Sequence, residues 1–159
     1  MKVSEWREIS DFIEFAGLSA EDIRLSQKAW GVVRPHMRAI LEEFYATRIV
    51  NNASLSIPAF DSSALITKQL DYWDDLFAGS LDTVYIAQTR RIAIRHREFQ
   101  VPMAYYILSY LWFLNAFERV LETRMTDPDH LRHTLASVRK LVFIDLNLAG
   151  SAYQATLVD

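Results

Sequence analysis

Apolar residues recur along the chain at three- and four-residue steps, the spacing that gathers one face of an α-helix, and Gly, Pro and Asn/Ser/Asp clusters punctuate the pattern. The first stretch, SEWREISDFIEFAG, sets Trp6, Ile9, Phe12, Ile13 and Phe15 toward one apolar face, with Gly17 as its C-terminal cap. This predicts an accessory helix over 1–17. A second helix opens at Ser19-Ala-Glu-Asp, where a hydroxyl can accept from an early backbone N–H and two acids favour the positive helix end. Ile23, Trp30, Val33, Met37, Ile40 and Phe44 then continue one stripe, interrupted at Pro35, which cannot donate to the helical ladder. A break just before Pro35 and a new helix to about Ile49 follow, and NNASLSIPAFDSS reads as a loop.

In the second half, a helix from about Ser63 to Phe77 ends at Gly79, and Ser80 or Asp82 caps the next one. That helix must stop near Gln100, because Val101 precedes a proline and is pushed out of the helical region. Pro102 suits the first turn of a helix to about Arg124, apolar nearly all round and therefore expected at the buried centre. Asp127-Pro128-Asp129 opens a long last helix over about 128–157. It carries two apolar stripes, Leu131, Leu135, Val138 and Val142 for the core, and Leu141, Ile144, Leu148, Ala152 and Ala155 left for a partner in a two-fold dimer. The expectation is an all-α protein, one domain over 1–159.

Composition narrows the function. A net charge of −3 gives no general attraction for nucleic acid or anionic lipid. The stretch 101–117 falls short of the ~20 apolar residues of a membrane span and carries Ser109 and Asn115, so it reads as a core helix. MKVSEWREIS has no apolar secretory segment, and the reading is cytoplasmic. The absence of cysteine excludes disulfides, thiolate chemistry and covalent haem attachment.

His96 in IAIRHREFQVPMAYY is the residue that raises a chemical question. On periodicity alone, a histidine on an apolar face is more often a hydrogen-bonded core residue than a ligand. Ile92, Phe99 and Met103 share its side and make a dry surround that would suit a large flat cofactor whose iron takes one imidazole. Arg90, Arg91, Arg95 and Arg97 flank that face and read chiefly as a solvated basic surface. Tyr45 is, by the same standard, first a core tyrosine, though its phenol could donate to a bound diatomic gas; Thr67 and Leu70 could add a donor and a steric wall. His36, His130 and His133 read as solvent-exposed, and the adjacent pairs Glu42/Glu43 and Asp74/Asp75 do not share a helix face as an acid–base couple must.

Taken together, ILEEFY at 40–45, YWDDLFAGSLDTVY at 72–85, RRIAIRHREFQVPMAYY at 90–106 and LVFIDLNLAGSAYQ at 141–154 resemble the sensor globin domain of the globin-coupled sensors, bacterial oxygen sensors related to protoglobins. The resemblance implies a globin fold with an extra N-terminal helix, a central buried helix and a long C-terminal helix. It implies one non-covalent haem b with His96 as proximal iron ligand, Tyr45 as distal hydrogen-bond donor, and Phe44, Thr67, Leu70, Ile92, Phe99 and Met103 lining the cofactor. The implied role is sensing of O2, CO or NO, not catalysis. The signal would leave through a homodimer of the last two long helices to an output module such as a diguanylate cyclase, histidine kinase or chemotaxis-type domain. Members commonly carry Gly where this chain has Gln100, which implies a differently shaped corner after the proximal helix. Rival readings are a haem-free globin-like scaffold and a haem redox enzyme such as a nitric oxide dioxygenase.

Overall fold

The regular structure of the described residues is helical throughout. The computed structural model describes residues 3–47 and 62–154, with backbone alone at 3–8, 62 and 154. The elements are α1 (Val3–Ala16), α2 (Ala20–Val33), a 3-10 turn (Arg34–His36), α3 (Met37–Ala46), α4 (Ser62–Ala78), α5 (Thr83–Glu98), α6 (Met103–Glu122) and α7 (Pro128–Gln154). Among them no helix is long and apolar enough to cross a membrane.

Helix ends fall where the capping chemistry puts them. Ser19 and Asp22 form a reciprocal capping box at the start of α2, Asp82 accepts from the Tyr85 N–H at the start of α5, and Asp127 accepts from Asp129 N ahead of α7. Pro35 sits in the 3-10 turn that separates α2 from α3. The expected extension of α3 toward Ile49, the loop to residue 61 and the stretch from 155 to 157 with Ala155 lie outside the described residues.

α1 and α5 end alike. At α1, Gly17 (φ 61°) lets Leu18 N reach back to Ile13 O and Gly17 N to Glu14 O. At α5, Val101 N reaches His96 O at 3.0 Å and Gln100 N reaches Arg97 O at 2.8 Å, with Gln100 at φ 57°. The corner expected to differ because it lacks glycine therefore keeps the left-handed turn, carried by a residue with a Cβ.

α7 is the axis of the molecule, packed against α1, α2, α4, α5 and α6. That enclosure corrects the expectation of a leftover stripe: Leu141, Ile144, Leu148 and Ala152 are as buried as Val138 and Val142. The free apolar surface lies elsewhere. α6 turns Tyr106, Tyr110, Phe113, Ala116, Phe117 and Leu121 inward, but Tyr105, Ile107, Leu108 and Leu111 face outward with Phe143 of α7, at 42–53% exposure. The central helix is thus buried on one face only. On α1 the buried stripe runs through Ile9, Phe12, Ile13 and Ala16; Phe15 falls off it and is 96% exposed, and the Trp6 side chain lies outside the described residues.

The core between α2, α4 and α6 is aromatic. Trp30 stacks on Phe77 (centroids 4.7 Å, 2° between planes), and Trp73 meets Phe117 edge-on at 5.1 Å. Asp74 locks this layer, accepting from Trp30 Nε1 (2.8 Å) and from Arg34 Nε and Nη2 (2.7 and 2.9 Å). Asp22 ties α2 to α7: burial opposes its charge, but Ser19, Ser137 and Lys140 all hydrogen-bond to it and hold its carboxyl well below the usual range.

Two consequences are measurable. Gln100→Gly should relieve left-handed strain and raise stability by about 1 kcal/mol, or roughly 3 °C in Tm by calorimetry, without moving α5 or α6. Asp22 has a depressed folded pKa, so its contribution is complete above the unfolded carboxylate value near pH 4 and fades as pH falls below it. Asp22→Asn should therefore lose ~2 kcal/mol at neutral pH and show a flatter decline between about pH 4 and 2 in denaturant titrations; an acid limb identical to wild type would refute the assignment.

Candidate metal centre

α5 carries Tyr85, Thr89, Ile92 and His96 at steps of four, three and four, which places them along one helical face. His96 stands at the end of this stripe, partly buried, with its Nδ1 2.8 Å from the Ile92 carbonyl oxygen. A carbonyl can only accept, so Nδ1 carries the proton and the Nε2 lone pair is left for another partner. Burial lowers the His96 pKa, against the opposing pull of the Ile92 bond, and the ring is a neutral imidazole at neutral pH. This is the protonation state an iron ligand needs.

Tyr106 of α6 meets the ring edge-to-face, with centroids 5.1 Å apart and 77° between planes. Tyr106 in turn packs on Tyr110 (5.3 Å) and on Tyr153 of α7 (5.4 Å). Burial pushes the Tyr153 phenol up to about 12.

Behind this ring cluster lies the most polar point of the interior. Asp145 of α7 is fully buried, and its Oδ2 accepts from the hydroxyls of Tyr72 (α4) and Tyr110 (α6, 2.7 Å). Its Oδ1 accepts from Tyr85 and, at 3.4 Å, from Thr89, both on α5. Burial raises the Asp145 pKa while these donors pull it back; burial and then the Asp145 charge keep Tyr72, Tyr85 and Tyr110 well above the ordinary phenol range. Since Tyr110 spends its one proton on Asp145, the 3.2 Å contact between the Tyr106 and Tyr110 hydroxyls must have Tyr106 donating.

On the other side, Phe44 of α3 is buried against Tyr45, Trp112 and Phe113. Tyr45 hydrogen-bonds Gln69 of α4, and Gln69 Oε1 accepts from Trp73 Nε1 at 3.1 Å. Burial raises the Tyr45 pKa and keeps the phenol a donor. Trp73 lies 6.3 Å from Tyr110, so Tyr45 and His96 belong to one aromatic system running Gln69, Trp73, Tyr110, Tyr106. Leu70 and Met103 pack against the core; Ile92 and Phe99 stay partly exposed, Phe99 under the Arg95 guanidinium. Thr67 is exposed and its hydroxyl bonds back to Ser63 O, so it does not join the group. His36, His130 and His133 are exposed, as expected.

Among the described residues no three His, Cys, Asp or Glu side chains form a metal-holding group. Two surface cavities of about 350 and 340 Å³ lie beside the α6–α7 corner and beside the segment 79–81, neither lined by His96 or Tyr45. The fit to haem therefore rests on donor chemistry: one neutral, oriented imidazole in apolar surroundings. Sequence reading missed Gln69, Tyr72, Tyr85, Thr89, Tyr106, Tyr110 and Asp145. One signal was available, since Asp145 interrupts the apolar spacing between Leu141 and Leu148.

Comparison with known proteins bears on the same residues. The Protoglobin family model matches residues 6–158. The globin domain of a Geobacter sulfurreducens globin-coupled sensor superposes with a TM-score of 0.78 at 17% identity, covering 91% of this chain and 97% of that one, which shows the globin fold. No curated protein matches the chain at a significant level.

Proposed function

The chain belongs to the protoglobin family, and on that premise we propose that it is a single sensor globin domain that binds one haem b through His96 and reports the binding of a diatomic gas. The observation that carries this reading is the hydrogen bond that His96 Nδ1 donates to the Ile92 carbonyl, which leaves the Nε2 lone pair of a neutral ring without a partner among the described residues. Bound haem would supply a ferrous iron able to take O2, CO or NO. Everything else falls to this chain's own residues. His96 would hold the iron, the Tyr45 phenol would donate to the gas ligand, and Gln69 would orient that phenol through the brace it shares with Trp73. Phe44 and Leu70 would exclude water on the Tyr45 side, and Ile92, Phe99 and Met103 on the His96 side.

Transmission would use the corner that follows. A displacement of His96 bears on Tyr106 and on the Val101–His96 backbone bond, and so on the start of α6. The outward residues Tyr105, Ile107, Leu108, Leu111 and Phe143 would seat a second copy of α6 and α7, from which an output module would be driven; the Geobacter neighbour is, by its name, the globin domain of a globin-coupled sensor.

The absorption spectrum of haem-supplemented protein tests the ligand. Wild type should show a Soret band that shifts with CO, and His96→Ala should lose the deoxy five-coordinate spectrum; Tyr45→Phe should keep it but speed O2 release about fivefold, the loss of a hydrogen bond worth ~1 kcal/mol. A Soret band unaltered in His96→Ala would end the proximal assignment, and no band in wild type would favour the haem-free scaffold. Leu108→Lys should convert a dimer to monomer in analytical ultracentrifugation. A monomeric wild type would remove the dimer from the reading.

A further inference from the structure

The carboxylate of Asp145 and the ring of His96 are joined by a directed chain of contacts. Tyr106 packs edge-on against His96, the Tyr106 hydroxyl donates to Tyr110, and Tyr110 donates to Asp145 Oδ2 at 2.7 Å. Every proton in this chain points toward Asp145, because each tyrosine has a single O–H and the carboxylate has none to give back. A tyrosine ring buried among apolar neighbours could otherwise slide along His96 at little cost; the two hydroxyl bonds deny Tyr106 that freedom. Asp145 also accepts from Tyr85 and Thr89, three and two turns before His96 on the same face of α5. It therefore holds both the helix that carries His96 and the ring that His96 leans on.

We infer that Asp145 is a positioning residue for His96, setting the imidazole's orientation through Tyr110 and Tyr106 and coupling it to α7. As a statement about a haem ligand it rests on the reading above, but the positioning itself does not need the cofactor. Tyr72 supplies the internal control: it is as buried as Tyr110 and donates to the same Oδ2, and its hydroxyl lies 3.3 Å from that of Tyr110, but with both protons spent on Asp145 it gives Tyr110 none, and Tyr106 donates to Tyr110 and not to it. A merely structural carboxylate would respond alike to loss of either phenol.

The experiment uses the full chain, first haem-free and then haem-loaded. In the haem-free protein, the ring resonances of His96, sensitive to the ring current of Tyr106, are followed by 1H–13C NMR in Asp145→Asn, Tyr110→Phe, Tyr106→Phe and Tyr72→Phe. The first three should shift them clearly, and Tyr72→Phe, which meets the chain only at the Tyr110 oxygen, by less. In the ferrous loaded protein, the iron–histidine stretching band should shift in the same three variants. His96 resonances unmoved in Tyr110→Phe and Tyr106→Phe, or moved equally in Tyr72→Phe, would overturn the inference. If Asp145→Asn does not fold, the three phenylalanine variants decide it. A wild type that takes up no haem would defeat the haem reading and leave the first measurement to stand or fall on its own.

Discussion

A carboxylate shut away from water has to be surrounded by donors, and Asp145 of α7 is such a group. Stranded without them, a buried charge costs on the order of 3 to 5 kcal/mol, so the fold has to deliver its partners together. They come from three other helices, Tyr72 from α4, Tyr85 and Thr89 from α5, and Tyr110 from α6. The apolar residues beside Asp145, Leu141 and Leu148, supply burial, but methyl and methylene packing has no direction and tolerates a helix sliding along its neighbour. A phenol O–H at the end of a rigid ring does not. The cluster therefore sets the register of α4, α5 and α6 along α7, whatever its net contribution to stability.

That register matters because α5 carries Tyr85, Thr89, Ile92 and His96 on one face. Tyr85 and Thr89 anchor the stripe at Asp145, and Ile92 offers the carbonyl that fixes the His96 tautomer. Both ends of the stripe are enforced by hydrogen bonds. The imidazole is thereby neutral and oriented, with no carboxylate bonded to it directly among the described residues. On the Tyr45 side the same economy recurs, with one amide, Gln69, bracing a phenol against an indole.

The helix boundaries were legible in the sequence because local chemistry decides them. Ser19 with Asp22, Gly17, Pro35, Gly79, Asp82, Pro102 and Asp127 each act within a turn of their own position. What periodicity cannot reveal is which neighbour covers a face. The second stripe of α7 looked available for a partner because a two-sided apolar helix is unusual; it is buried because five helices surround it. α6 looked central for the same reason and has an open face instead. The Asp145 cluster was invisible for a different reason: its members are 35 to 73 residues from Asp145, and four of the five are aromatic residues that a core would hold in any case.

The corner after α5 shows how a motif can be kept while its preferred residue is lost. The 6→1 bond from Val101 N to His96 O requires the intervening residue 100 to turn left-handed, and Val101 must then be extended because Pro102 follows. These two demands leave one path for the chain between α5 and α6. A glycine follows that path without strain; Gln100 follows it at a cost of order 1 kcal/mol, since the alternatives would leave the His96 carbonyl unpaired or force α6 off its contacts with α7. Packing on either side outweighs the local preference, so the residue at 100 alters the stability of the corner and not its course. The backbone of His96 is consequently held at its carbonyl by this turn and its ring at Nδ1 by Ile92, so that among the described residues Nε2 is the one ring nitrogen that no hydrogen bond fixes.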